Sequence, residues 1–272
     1  MSAVGHLPRV PFVLHPRAKE LADGGASGFV LVLPGGGYEG RAEHEGAVIT
    51  AFLADHGIPS GYLEYPVAPA IYPEALDQVL LALADLRAAV HGAFPGPLAV
   101  IGFSAGGHLA ASVATATESE RADLAGREGT DPASLARPDL ATLCYPVISL
   151  VNRAHIGSRR NLLGDTDTEA LATSLSVERR VDADTPPAFL WHTADDAAVP
   201  VENSLLMAAA LRDAAVAFEL HVYPTGRHGL GLADDVGAPV TDWRDAWLNW
   251  LARGGVGPAP TLSPGCAVRR TR

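Results

Sequence analysis

The 272-residue sequence predicts an α/β fold: a mostly parallel central sheet with helices on both faces and no large cap domain. Three observations predict it. Apolar runs and amphipathic stretches alternate from end to end, with no internal repeat. The run Phe29-Val30-Leu31-Val32-Leu33 reads as a buried strand that stops at Pro34 and three glycines. A second run, Leu98-Ala99-Val100-Ile101, enters the pentapeptide Gly102-Phe103-Ser104-Ala105-Gly106, after which His108-Leu109-Ala110-Ala111 can start a helix.

The elements follow in order. After the strand at Phe29, Ser60 to Val67 is the next strand. Leu76, Val79, Leu80, Leu83, Leu86 and Val90 keep the spacing of a helix with one buried face, and Pro73 suits its first turn. Leu98 to Phe103 is the central strand. Leu140 to Tyr145 and Pro187 to Thr193 read as two more strands, Val201 to Ala215 as a helix, Phe218 to Tyr223 as the last strand and Trp243 to Leu251 as the closing helix. Two polar stretches, Thr117 to Pro138 and Ser149 to Thr185, break the alternation. Each is expected at the Ser104 side of the sheet, where insertions would roof a cleft, with surface loops of no function as the equal alternative. A single domain over 1–253 is expected, with 254–272, which mixes Gly and Pro with Arg269, Arg270 and Arg272, set aside as a disordered tail.

Composition narrows the class of partner. With 20 basic against 31 acidic residues, the chain lacks the basic excess that nucleic acid or an anionic membrane would need. A small-molecule substrate fits better, and association into a homo-oligomer is compatible with the sequence. There are two cysteines, Cys144 in a buried strand and Cys266 in the tail, so no disulfide framework is expected. Pro8, Pro11 and Pro16 interrupt the N-terminal region, which has no apolar core of signal-peptide length, and a cytoplasmic setting is expected.

The chemistry centres on Ser104. Between a strand and a helix, its pentapeptide has the form of a nucleophile elbow, in which glycines two positions either side leave room for a sharp turn that projects the hydroxyl. A serine hydroxyl is a weak nucleophile at neutral pH, so it needs an imidazole to take its proton and a carboxylate to orient that imidazole. On this kind of sheet the acid follows a later strand and the base lies beyond the last one. Asp195 and Asp196 occupy the first position and Thr225-Gly226-Arg227-His228-Gly229 the second. Of ten histidines, His228 is the one just past the last strand; Asp196 is preferred over Asp195 because Asp-x-x-Val-Pro puts it at the crest of its loop. His108 is read as helix packing, His221 as a strand residue and His192 as a residue supporting the site from behind.

Attack on a carbonyl builds an oxyanion that needs preorganised amides. Gly35-Gly36-Gly37-Tyr38 follows the first core strand, and its glycines can turn their N–H groups toward the cleft. Gly36, Gly37 and Ala105 are the expected donors. A phosphate loop is the competing reading, but neither a following Lys-Ser or Lys-Thr nor a GxGxxG pattern is present. No cofactor or metal is expected, since HExxH, CxxC and close His pairs are all missing; Glu43-His44-Glu45 is read as solvated surface or rim. Tyr38, Tyr65 and Tyr145 fall at strand ends and are expected to line the acyl or alcohol pocket, with core packing as the alternative.

With these residues in place the chain resembles the α/β-hydrolase family, and within it the small esterases related to acetyl xylan esterases and the hormone-sensitive-lipase group. The resemblance rests on Pro34-Gly35-Gly36-Gly37-Tyr38, Gly102 to His108, Trp191 to Asp196 with Val199-Pro200, and Gly226-Arg227-His228-Gly229. It implies the α/β-hydrolase fold and hydrolysis of short-chain, acetyl-type esters, in several relatives on plant-type sugars, with Ser104, Asp196 and His228 as triad. The chain has Pro34 where the lipase group has a His, and Tyr65-Pro66 where many relatives have Tyr-Arg. Its first core strand begins near Phe29, without the long N-terminal cap of the lipase group. A serine peptidase or amidase on the same fold is the nearest rival, and an inactive binding protein of this fold is the rival from another class.

Overall fold

The computed structural model describes residues 7–258. Seven strands form one sheet, in the order β1-β3-β2-β4-β5-β6-β7: β1 (Phe12–Leu14), β2 (Phe29–Leu33), β3 (Ser60–Leu63), β4 (Leu98–Phe103), β5 (Leu140–Cys144), β6 (Ala188–Thr193) and β7 (Phe218–Tyr223). All pairings are parallel except that of β1 with β3. The helices are α1 (Ala18–Asp23), α2 (Ala47–Asp55), α3 (Glu74–Arg87), α4 (Ala105–Ala114), α5 (Glu118–Glu128), α6 (Ile156–Leu163), α7 (Glu169–Ser174), α8 (Glu202–Asp213) and α9 (Trp243–Arg253).

Side chains alternate along the strands, and this divides the core in two. Phe29, Leu31 and Leu33 face one side with Val79, Leu80 and Leu83 of α3, Leu109 of α4 and Leu211 of α8. Val30 and Val32 face the other with Ile49 and Leu53 of α2 and Trp243, Trp247 and Trp250 of α9. Each fully buried aliphatic side chain contributes roughly 1.5–3 kcal/mol of transfer free energy, so both faces must be covered for such apolar strands to be stable. The two layers also place the site. From β2 the chain turns one way to β3 and then crosses back to β4 on the other side of β2. The helix after β2 therefore packs on one face and the helix after β4 on the opposite face. Their connections diverge at the carboxyl ends of β2 and β4, the topological position at which sheets of this kind place a ligand site.

Several expected boundaries move. The third strand stops at Leu63 rather than Val67, with Glu64 N donating to the Pro11 carbonyl and Pro66 following two residues on. The helix expected to reach Val90 ends at Arg87, and Val90 is exposed. The edge strand β1 is an element that the sequence reading lacks. Residues 254–258, set apart with the tail, join the fold: Val256 is fully buried, and Ser27 and Gly257 exchange two backbone hydrogen bonds. The remainder of the expected tail, 259–272, lies outside the described residues.

The stretch 117–138 is not a roof. Since α4 begins at the Ser104 turn and has ten residues, it carries the chain about 15 Å away before α5 starts. Segment 117–138 docks elsewhere, with Arg127 on the buried Asp77 of α3 and Glu120 on the Tyr72 hydroxyl and Arg180.

Candidate active site

Ser104 has φ 54° and ψ −116°, a left-handed backbone rare for a residue with a Cβ. The turn holds it there because both flanking glycines are forced. A Cβ on Gly102 would lie 2.0 Å from the Gly106 carbonyl oxygen, and one on Gly106 would lie 2.2 Å from that of Leu33. The Gly35 loop also packs closely on the elbow, since a Cβ on Gly35 would come 2.8 Å from the Phe103 carbonyl oxygen and 3.1 Å from the Ser104 Cβ.

His228 lies between Ser104 and Asp196. Its Nε2 is 2.7 Å from Ser104 Oγ and its Nδ1 is 2.6 Å from Asp196 Oδ2. A carboxylate only accepts, so Nδ1 carries the proton and Nε2 accepts from the serine hydroxyl. The Asp196 side chain is fully buried, with Oδ1 accepting from the amides of Ala198 and Val199. Burial alone would raise its pKa, but hydrogen bonds from His192, His228 and the Val199 amide outweigh that and hold it well below the usual carboxylate range. His192 donates from Nε2 to the Val199 carbonyl, with Asp196 Oδ2 3.4 Å away, and accepts from Ser204 at Nδ1. Asp195 instead takes the Gly226 amide at 2.7 Å and joins the β6 loop to the β7 loop. His221 of β7 is partly exposed and stacks on Phe189 of β6, without a contact to Ser104, Asp196 or His228.

Of the expected oxyanion donors, Ala105 directly follows Ser104, and Gly36 and Gly37 follow Gly35, which packs against Ser104. Ala105 is the first residue of α4, where helix amides lack intrahelical partners. Gly36 and Gly37 have φ 128° and 65°, and a Cβ on Gly36 would fall 2.4 Å from the Gly40 carbonyl oxygen. The loop is anchored from several sides: Glu39 and Gly40 donate to the Gly36 carbonyl, and Asn161 of α6 donates to that of Gly37.

The three tyrosines are interior, as in the core-packing alternative. Tyr38, Tyr65 and Tyr145 are 2%, 0% and 1% exposed, and each hydroxyl is held by protein. Tyr38 donates to His108 Nδ1, Tyr65 to the Pro34 carbonyl, and Tyr145 to Glu45 while accepting from the Gly231 amide. These bonds tie the three tyrosines to neighbouring elements of the fold. His108 completes the support of Tyr38 by donating from Nε2 to the Leu175 carbonyl. Burial lowers its pKa to about 4, partly offset by that carbonyl, so it stays neutral.

Glu45 also departs from its reading as rim. It is 2% exposed, with Oε2 on the Gly35 amide at 2.8 Å and Oε1 on the Tyr145 hydroxyl at 2.6 Å. Nothing in the local sequence distinguishes it from Glu43, since its partners lie 10 and 100 residues away in the chain.

His155 also borders the site, with no motif in the sequence to single it out. It lies just before α6, with Cε1 4.0 Å from where a Gly37 Cβ would stand, and accepts at Nδ1 from the Ser158 amide, which places its proton on Nε2. Burial lowers its pKa; His228 adds to the effect and Asp196 opposes it. Of the two expected roof segments, 149–185 is therefore the one that borders the site. Among the described residues there is no group of three or more His, Cys, Asp or Glu side chains able to hold a metal, and no helix is long and apolar enough to cross a membrane.

A mostly parallel sheet with a serine elbow after a central strand, and with Ser104, Asp196 and His228 in that chain order, defines an α/β-hydrolase fold. Within that class the chain belongs to the BD-FAE family, whose model matches residues 24–211. It is similar to a solved acetyl ester-xyloside bifunctional hydrolase from Caldicellulosiruptor lactoaceticus, with 35% identity, TM-score 0.75 and coverage of 93% of this chain and 100% of that one. A carboxylesterase from Lactobacillus plantarum aligns at 26% identity and TM-score 0.71, covering 87% and 88%. An acetylxylan esterase of Xylanibacter ruminicola is 32% identical over 217 residues, which are 74% of this chain and 41% of that protein. An endo-1,4-beta-xylanase B of Butyrivibrio fibrisolvens is 35% identical over 218 residues, 76% of this chain and 33% of that one. The chain thus spans only about a third to two fifths of the length of these last two relatives.

Proposed function

We propose that this protein is a serine carboxylesterase acting on short-chain, acetyl-type esters, with acetylated carbohydrates as the substrate class. The observation that carries the reading is the pair of hydrogen bonds through His228, 2.7 Å to Ser104 and 2.6 Å to Asp196, beside the Gly35 loop. The carbohydrate part draws on relatives described as an acetylxylan esterase and an acetyl ester-xyloside hydrolase.

In the proposed reaction His228 Nε2 takes the Ser104 proton as Oγ attacks the ester carbonyl. The carbonyl oxygen gains the negative charge, and the amides of Gly36, Gly37 and Ala105 receive it. As the C–O bond to the alcohol breaks, imidazolium His228 returns the proton to the leaving oxygen. An acyl-Ser104 remains. Water, losing its proton to His228, attacks this second ester; the acid departs and Oγ regains its proton. Asp196 stays ionised throughout, in keeping with its lowered pKa. Cys144, buried and without a disulfide partner, supports a reducing, cytoplasmic setting.

The test compares p-nitrophenyl acetate with the octanoate, and an acetylated xylo-oligosaccharide with a peptide amide. Turnover of acetyl over octanoyl, and of the sugar ester over the amide, is expected. A preference for octanoate or for the amide would overturn the substrate assignment.

A further inference from the structure

The interior carboxylate of Glu45 lies between the two loops that the proposed reaction needs. On one side it accepts from the amide of Gly35, the residue before Gly36 and Gly37. On the other it accepts from Tyr145, whose oxygen accepts the amide of Gly231, three residues beyond His228. The Tyr145 ring also packs edge-on against the His228 imidazole, with centroids 5.1 Å apart at 71°. We propose that Glu45 and Tyr145 are a positioning pair that fixes the oxyanion loop and the His228 loop against each other. This rests on the reading of Ser104 and His228 given above.

Proton accounting defines the pair. An amide N–H can only donate, so the Tyr145 oxygen accepts from Gly231 and its own proton goes to Glu45. Both carboxylate oxygens then act as acceptors, and the ionised form satisfies every donor. A buried carboxylate is unfavourable unless its hydrogen bonds are complete. Burial raises the Glu45 pKa, while Tyr145 and the Gly35 amide oppose that rise. Fit is also tight, since a Cβ on Gly35 would lie 2.5 Å from Glu45 Oε2. Neighbouring His44 adds a parallel tie by donating to the Gly229 carbonyl. Neither Glu45 nor Tyr145 is exposed to substrate, so their effect passes through the Gly36 and Gly37 amides and the aim of His228.

The experiment measures p-nitrophenyl acetate turnover by the full chain carrying Glu45→Gln, Tyr145→Phe, or both, well below each melting temperature. A glutamine keeps the shape but sets an NH₂ against one of the two donors, and phenylalanine keeps the ring while orphaning the Gly231 amide. Each single variant should lower kcat by about tenfold or more while KM stays within about threefold, since misplaced transition-state donors act on the chemical step. The double variant should fall no further than the worse single one, because both break one link. A folded Glu45→Gln or Tyr145→Phe protein with wild-type kcat would overturn the proposal, as would losses that multiply in the double variant. If Glu45→Gln does not fold, Tyr145→Phe decides alone by the same criterion. Failure of the underlying reading looks different: Ser104→Ala would then retain turnover.

Discussion

Asp196 and His228 come from loops 32 residues apart in sequence yet meet at 2.6 Å, and the second oxygen of Asp196 is fully occupied by two backbone amides. The carboxylate is therefore aimed before any substrate arrives. Asp196→Asn should lower kcat for an acetyl ester by on the order of 10³–10⁴, because an amide cannot stabilise the imidazolium and favours the wrong tautomer. Asp195→Ala should cost only a few-fold, as it loses one exposed clasp to Gly226 of the kind worth about 1 kcal/mol. Steady-state kinetics of the two variants check the contrast; equal losses would reverse the assignment.

The elbow glycines make a stability prediction. A methyl at Gly106 meets the Leu33 and Pro34 carbonyl oxygens at 2.2 and 2.4 Å, backbone atoms that cannot swing aside. Gly106→Ala should lower the melting temperature by several degrees or more, since overpacking of this kind costs about 1–3 kcal/mol or above. Gly126→Ala in exposed α5 meets nothing within 4 Å and should raise it slightly, by the ~1 kcal/mol helix-propensity gain. Thermal melts followed by circular dichroism give both signs.

His108 makes a pH prediction. Its pKa is lowered from 6.5 to about 4, so between those values the unfolded chain binds a proton that the folded chain refuses. The corresponding stability is fully present above pH 6.5 and is lost as the pH falls toward 4. His108→Phe, which loses the Tyr38 bond, should melt lower at pH 7 and show a shallower fall toward pH 4. Melting temperatures across that range test it; parallel curves for the two proteins would contradict it.

Asn161 of α6 holds the Gly37 carbonyl at 2.9 Å from outside the loop. Asn161→Ala should loosen one side of the oxyanion site and reduce kcat by about tenfold, with little change in KM, on the scale set by small misplacements of catalytic donors. A KM effect with unchanged kcat would instead place Asn161 on the substrate side of the loop.

Much of this architecture can be read from the residues because the signals are local. The strand at Phe29 ends at a proline and glycines, the elbow needs two glycines at fixed offsets, and Asp196 and His228 each follow a strand in chain order. Other features depend on tertiary partners that no window of sequence contains. Glu45 sits in a charged triplet and becomes interior only because Gly35 and Tyr145 fold onto it. Tyr38, Tyr65 and Tyr145 stand at strand ends, as pocket residues do, yet His108, Pro34, Glu45 and Gly231 occupy their hydroxyls. β1 has three residues, too few for a period to show, and owes its register to the pairing of Val13 with Tyr62. The roof expected at 117–138 failed for a directional reason: a helix that starts at the serine carries its far end away from it.

The central claim is that Ser104 is the nucleophile. Reaction of the full chain with a fluorophosphonate, followed by intact-mass and peptide-mass analysis, tests it most directly. One adduct per chain is expected, on Ser104, formed in step with loss of acetyl-ester turnover and absent from Ser104→Ala, whose own turnover is lower by on the order of 10⁴ or more. An adduct on another residue, or full turnover in Ser104→Ala, would contradict it.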